Sequence, residues 1–477
     1  MKYHTNRKRP AERGISVIVA CFILVLTVPL VGLAIDVTLL YVDKARLQGA
    51  VDGAALAGAK ALARGSDDPA QQQSAKQAAA TYVFLNYPAT FFFTNSVTVS
   101  QSTDIIINES VANQRTVQVT GHANVPTLFM RWLNFSNTNV TATAAVTRRD
   151  VNVMFIMDRS GSLAITGSCA PAKAEAVAFL NRFALGTDNV GLITFATSSR
   201  VDAPLSTAFS GIGTTVSNIT CSGATNSAQA LWQGYQALAT LAQPAALNVI
   251  VFFTDGQPTA VTAVLPIAGG SSCNSPGPFT GVFTVGFRGS SPVGTGGVMD
   301  YQAAAQPITS DANLISGAEG DPTNCSFASS WPYNWYTADQ DIAGVPTTDL
   351  WGNNLNNGYQ SVSTSGGLVT IPSDSTGALN MIHASTNAAD DAAARIRTAV
   401  SPANGAAPLS NIVLLTIGLG NSTYPANGDL LERIANDPRG SSFNAAYPTG
   451  LYVAAPTVAD LSAAFASVSS EILRLAK

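Results

Sequence analysis

Hydrophobic and polar positions divide the chain into stretches of different character. From Gly14 to Ile35 the sequence reads GISVIVACFILVLTVPLVGLAI, without a charged side chain. At ~1.5 Å per residue, a helix of that length crosses a ~30 Å hydrocarbon layer. Helical spacing of Ala, Leu and Val continues through residues 36–64, DVTLLYVDKARLQGAVDGAALAGAKALAR, with no Gly-Pro break after the span. One helix should therefore leave the membrane unbroken and carry a small-residue face suited to close packing on another helix. A Gln/Ala-rich helix is expected at 69–80. Then the period shortens: Ser96–Ser102, Asp104–Asn108, Thr116–His122 and Val140–Thr147 are rich in Val, Ile and Thr and partly alternate, as strands do. Leu128–Leu133 is a short apolar patch between them. A helix with a small antiparallel sheet follows from this pattern.

Beyond Asp150 the strands become almost wholly apolar. Val151–Met157 (VNVMFIM) and Leu247–Thr254 (LNVIVFFT) have the composition of strands buried on both faces of a parallel sheet. Val190–Phe195, Ile412–Ile417 and Leu451–Ala455 are expected beside them. Helices are expected at Pro171–Phe183, from Asn226 to about Ala242, and at Val458–Leu475, where Leu461, Phe465, Val468 and Ile472 form a core stripe. Strands alternating with helices predict an α/β class and a doubly wound, Rossmann-like sheet. Residues 262–378 form a large insertion rich in Gly, Ser, Pro and Asn, with Trp331, Trp335 and Trp351. It leaves the carboxyl end of a strand, so it should lie over or beside whatever sits there. It is either a lid or specificity surface, or a decorated loop with a small core of its own. The expected organisation is a basic segment at 1–13, a membrane span at 14–35, an extended helix with a small β module at 36–148, and the α/β domain at 149–477.

Charge refines the picture in two places. Residues 1–14 carry a net +4 within a chain of net −4, and only 11% of all residues are charged. A basic flank before an apolar span stays in the cytoplasm, which places the amino terminus inside and the residues after Asp36 outside. A cleaved secretory signal would have a shorter apolar core, ~7–15 residues, ending in a small-residue cleavage site. The acidic remainder argues against nucleic acid as a partner.

Candidate chemistry converges at strand tips. Val151–Met157 ends in Asp158-Arg159-Ser160-Gly161-Ser162, and Leu247–Thr254 ends in Asp255-Gly256. Gly223-Ala224-Thr225-Asn226 opens a helix facing the same edge. Asp158, Ser160, Ser162, Thr225 and Asp255 are all oxygen donors, the set preferred by a hard divalent cation: Mg²⁺ first, with Mn²⁺ or Ca²⁺ as alternatives. The histidines are His4, His122 and His383 only, so zinc is not expected. His122 reads as structural or solvated, and His383 with Asp390 or Asp391 as ordinary helix-surface polarity. Asp339 and Asp341 are a weaker Ca²⁺ candidate. Nucleophile-elbow, H-E-x-x-H and P-loop patterns do not occur in the sequence, and no enzymatic activity is expected.

Two resemblances sharpen these readings. Arg13-Gly14, the apolar span, Ala34-Ile35-Asp36, Leu47-Gln48, Asp52 and Ala54-Ala55-Leu56-Ala57-Gly58-Ala59 resemble the amino-terminal region of TadG-like proteins of Flp (tight adherence) pilus assembly. Neighbouring pilin families carry Glu where Val19 stands here, so the segment looks like an anchor and not a polymerising subunit. The D-x-S-x-S motif, Thr225 and Asp255 resemble the metal-ion-dependent adhesion site of von Willebrand factor type A domains. That resemblance implies direct coordination by Ser160 and Ser162, and by Thr225 directly or through water. Asp158 and Asp255 would act through hydrogen bonds and bridging waters, and an acidic group of a protein partner would complete the shell. A membrane-anchored, metal-dependent binding component of pilus assembly is therefore expected, with other pilus components as possible partners; the alternative is a surface adhesin for extracellular or host ligands. Cys21 lies in the span, and Cys169, Cys221, Cys273 and Cys325 are all on the exported side, where disulfides form. Three pairings exist; Cys169–Cys221 and Cys273–Cys325 are favoured, because Cys169 and Cys221 both flank loops at the metal edge, and free thiols are the alternative.

Overall fold

The computed structural model describes residues 13–62, 68–88, 94–266, 278–288, 291–300, 328–329, 334–335, 344–371, 375–402, 404–420 and 426–476. They form two compact units. One holds the described residues of Met1–Arg64, Pro69–Ser110 and Arg115–Thr147, and the other essentially those from Arg148 onward.

In the first unit α1 (Arg13–Ala61) is a single helix of 49 residues that runs through Pro29 without interruption. Its described residues from Ser16 to Ile35 are exposed except Gly32, and this helix alone among the described residues is long and apolar enough to cross a membrane. Farther along, Leu47, Ala50, Val51, Ala54, Ala55 and Ala59 turn inward. The small-residue face packs within its own unit, against α2 (Asp68–Asn86) and a four-stranded sheet. That sheet consists of β1 (Ser96–Thr98), β2 (Ile105–Asn108), β3 (Gln114–Pro126) and β4 (Asn137–Arg149). The long β3 carries β1 and β2, both antiparallel, on one edge and β4 on the other. Alternation in β3 sends Val117, Val119, Ala123 and Val125 into the core. On the opposite face Thr116, Thr120, His122 and Asn124 hydrogen-bond to Thr147, Thr143, Thr141 and Asn139 of β4. His122 is one member of this half-solvated polar ladder, in keeping with a structural role.

The second unit is built on a six-stranded sheet: β5 (Val151–Asp158), β6 (Asn189–Phe195), β7 (Ser199–Ser206), β8 (Leu247–Thr254), β12 (Val413–Leu419) and β13 (Leu451–Ala455). The strand order is β13-β12-β8-β5-β6-β7, parallel except for β7 at the edge. Every residue of β5 and β8 is buried, because helices cover both faces. Val153, Phe155 and Met157 point to the side of α3 (Gly161–Ile165), α4 (Cys169–Leu180), α5 (Ile212–Ser217) and α9 (Leu461–Leu475). Met154 and Ile156 point to the side of α6 (Ser227–Leu241) and α7 (Ser375–Arg397). Phe465, on the expected stripe of the last helix, meets Phe155, Phe179 and Phe253 at ring distances of 5.5–6.0 Å.

The antiparallel edge strand β7 lacks an apolar run of its own and is an addition to the sequence-based expectation. The described insertion departs from one of its two expected forms, the loop with a small core of its own. β9 (Ala260–Pro266) pairs antiparallel with β10 (Pro278–Arg288), which pairs with β11 (Ser291–Asp300). Leu265, Phe283, Val345, Leu355 and Val369 are buried in the same core as α6 and α7, so the described insertion extends the domain core instead of packing one of its own. Trp351 packs against that core. Trp331, Asp339 and Asp341 lie outside the described residues.

Candidate metal centre

The chain leaves β5 toward β6 on one side and later returns to β8 on the other, so β5 and β8 flank the switch point of the sheet. Ligands of open α/β sheets bind outside the carboxyl ends of strands at such a point. Asp158 ends β5 and Asp255 directly follows β8, with Met157 opposite Phe253 in the parallel ladder.

Hydrogen bonds then join the two tips. The Ser160 N–H donates to Asp158 Oδ1 at 2.7 Å, and the Thr254 hydroxyl donates to Asp158 Oδ2 at 2.5 Å. The Ser160 and Ser162 hydroxyls are 2.9 Å apart, and Ser162 Oγ donates to Asp255 Oδ1 at 2.7 Å. Four of the five expected residues thus stand in one connected cluster. The loop of the fifth is tied to it through the backbone. Gly161 N–H donates to the Gly223 carbonyl at 2.9 Å, and Ser222 N–H to the Arg159 carbonyl at 2.7 Å. Gly223 has φ +93°, and a Cβ there would stand 2.7 Å from Thr197 Oγ1, so the turn toward Thr225 requires glycine. Thr225 N–H donates to Thr259 Oγ1 at 2.9 Å, and the Thr225 carbonyl accepts the N–H groups of Thr259 and Ala260. The residues just ahead of the insertion therefore brace the Thr225 loop. Cys169 and Cys221 form a disulfide that ties the start of α4 to the segment just before Gly223, as favoured from sequence. The pairing of Cys273 with Cys325 lies outside the described residues.

Electrostatics tests the fit of a cation. Asp158 and Asp255 are both 0% exposed. Burial and then the neighbouring charge of Asp158 push the Asp255 carboxyl up to about 8, and burial raises Asp158 as well. Among the described residues nothing donates a hydrogen bond to the buried Asp255 Oδ2. The Arg159 guanidinium, next in sequence to Asp158, is directed to Thr194 (Nε to Oγ1, 3.2 Å), with its own pKa lowered to about 10 by burial and by Arg200. Two buried carboxylates and a set of hydroxyls, without imidazole or thiolate, form a donor set that a hard divalent cation fits.

His383 and its neighbours lie apart from this cluster. His383 Nδ1 faces the Ser361 carbonyl at 2.8 Å. Asp390 is not helix-surface polarity, as its sequence position suggested: it is 5% exposed and binds Arg433 of α8 (Gly428–Ala435) through two contacts of 2.9 Å. Asp391 accepts the Asn354 N–H at 2.9 Å. The insertion covers that face of α7 and turns a nominal surface into an interior. Sequence reasoning missed Thr254 and Thr259 as partners of the cluster, and named Gly223 without the turn it makes. The one local signal was that Thr254 directly precedes Asp255.

Comparison with known proteins follows the same division. Residues 153–257 match the von Willebrand factor type A domain family, and residues 14–61 match the Flp pilus-assembly TadE/G-like family. Among curated proteins none matches this chain. Among solved structures, the PilB minor pilin from Streptococcus sanguinis is similar at 16% identity and TM-score 0.37, over 80% of this chain and 79% of that one. The vWF domain of the type V pili tip protein Mfa5 from Porphyromonas gingivalis is similar at 15% identity and TM-score 0.37, over 69% of this chain and 97% of that one. The chain thus carries a TadE/G-like segment at its amino-terminal helix and a von Willebrand factor type A domain around the Asp158–Asp255 cluster.

Proposed function

We propose that this protein is a membrane-anchored, pilus-associated adhesion component that grips a protein partner through a divalent cation. The observation that carries this reading is the pair of fully buried carboxylates, Asp158 and Asp255, bridged by Ser160 and Ser162 at the switch point of the sheet. Ser160, Ser162 and Thr225 would hold the cation, with Asp158 and Asp255 holding the hydroxyls in place and supplying the negative charge. The cation would be Mg²⁺, or Mn²⁺ or Ca²⁺ in its stead, and an acidic side chain of the partner would complete its shell. The role is binding, not catalysis.

The TadE/G-like match and the apolar α1 support anchoring in the cytoplasmic membrane, and the basic residues before the span favour an amino terminus inside and a binding domain outside. On this reading residues 1–13 are cytoplasmic, 14–35 span the bilayer, 36–148 form a small module, and 149–477 form the binding domain. Other components of the pilus machinery are the partners it favours. In a pull-down from envelope extracts of a pilus-bearing cell, EDTA, Asp158→Ala and Thr225→Ala should each abolish capture that Mg²⁺ supports. Capture unchanged by all three would overturn the metal grip.

A further inference from the structure

The connection between β3 and β4 carries an apolar surface that the adhesion reading leaves unused. Trp132 is 88% exposed and Leu133 70%, and Leu128, Phe129 and Phe135 are exposed beside them. A water-facing loop seldom displays this much contiguous apolar surface without a partner.

Two contacts fix where this loop sits on α1. The Asp36 carboxylate accepts the backbone N–H groups of Leu128, Phe129 and Met130 at 2.8, 2.9 and 2.6 Å. One turn earlier, the Phe129 ring covers Gly32, where a Cβ would stand 2.5 Å from the ring. Gly32 is the single buried position among residues 16–35. It also lies three residues, or about 5 Å of helix, inside the end of the apolar run at Ile35. The loop is therefore clipped to the last turn of the segment that enters the bilayer. If the helix is inserted to Ile35, the loop cannot stand clear of the membrane surface.

We propose that the loop 128–135 is a second membrane contact, which inserts Trp132, Leu133 and Phe135 into the headgroup boundary of the bilayer that α1 spans. The chemistry suits that depth. Trp and other aromatic rings concentrate at membrane–water interfaces, and exposed Arg131 is placed to meet lipid phosphates. Asp36 is 1% exposed, and three N–H groups replace the water that a carboxylate at this level would otherwise require. Two contact points would fix the rotation of α1 about its axis, which a lone helix leaves free. The inference rests on the membrane-anchor reading, with lipid as the one occupant.

The test uses the full chain in phosphatidylcholine–phosphatidylglycerol vesicles, with and without bromine on the acyl chains. Brominated lipid should quench part of the tryptophan emission, and Trp132→Phe should remove that lipid-quenched component while the protein still floats with the vesicles. Equal quenching in wild type and Trp132→Phe, in a chain that floats, would overturn the loop contact and leave the anchor standing. Trp132 shielded from acrylamide but untouched by brominated lipid would point to a protein surface and overturn it as well. A chain that fails to float would instead remove the anchor reading on which both depend.

Discussion

Ser162 Oγ donates to Asp255 Oδ1 at 2.7 Å, across 93 residues of sequence. That contact closes the gap between the tips of β5 and β8 and brings a second carboxylate to the one already buried at Asp158. In water the two charges would repel weakly; between helices and sheet they raise each other's cost. A divalent cation held between them, as proposed, would reverse the sign of that interaction.

The first prediction follows from this reversal. Mg²⁺ at a hundredfold excess over its Kd should stabilise the wild-type domain by about 2.7 kcal/mol. Asp255→Asn should be at least as stable as wild type in EDTA and should gain nothing from Mg²⁺. Thermal melts of both proteins with EDTA and with Mg²⁺ measure this directly. An equal Mg²⁺ shift in the variant would place the ion elsewhere.

Thr254 tests the support of the site. Thr254→Val keeps the shape of the side chain but deletes the hydroxyl that Asp158 Oδ2 accepts at 2.5 Å. A buried carboxylate oxygen that loses its donor should cost about 1–3 kcal/mol of stability. Loss of an orienting partner should also weaken Mg²⁺ affinity by roughly 10–100-fold. Calorimetric titration and denaturant melts separate the two effects.

The Cys169–Cys221 disulfide closes a segment of 52 residues. Replacing both cysteines by serine should destabilise the domain by about 3–4 kcal/mol through the unfolded chain. Because the bond lies directly ahead of Ser222 and Gly223, whose backbone groups hold the D-x-S-x-S loop, Mg²⁺ affinity should fall too. Unchanged Mg²⁺ affinity in a folded double variant would show that the backbone hydrogen bonds suffice.

Asp437 sets a pH dependence away from the Asp158–Asp255 cluster. Burial opposes its charge, yet Arg439 and the N–H groups of Tyr452 and Arg439 outweigh that and bring the carboxyl down to about 2. A depressed folded-state pKa contributes stability above the unfolded value near 3.9 and loses it as pH falls toward 2. Asp437→Asn should therefore cost about 1–2 kcal/mol at pH 7, after allowance for the solvent around exposed Arg439, and less than about 0.5 kcal/mol near pH 2. Urea melts at both pH values check the sign.

The course of the chain was readable wherever local pattern and burial agree. Val151–Met157 and Leu247–Thr254 are apolar throughout because both faces are covered, and the Asp that follows each run marks its tip. β7 was not readable: Ser199–Ser206 is a partly exposed edge strand with Pro204, and an edge needs neither an apolar run nor a complete set of N–H donors. Asp390 looked like a surface residue because its helix neighbours are small and polar; the insertion and Arg433, both remote in sequence, make it interior.

Sequence alone determined the donor types, the strand tips that carry them, the unbroken apolar helix and the small-residue stripe beyond it, because each depends on spacing within a few turns or one strand. Tertiary structure decided which oxygens meet, that Thr254 and Thr259 brace them, and that Asp36 captures a loop 92 residues away. Those pairings satisfy buried polar groups across long loops, and a buried carboxylate takes whichever donors the packing of the whole chain brings within reach.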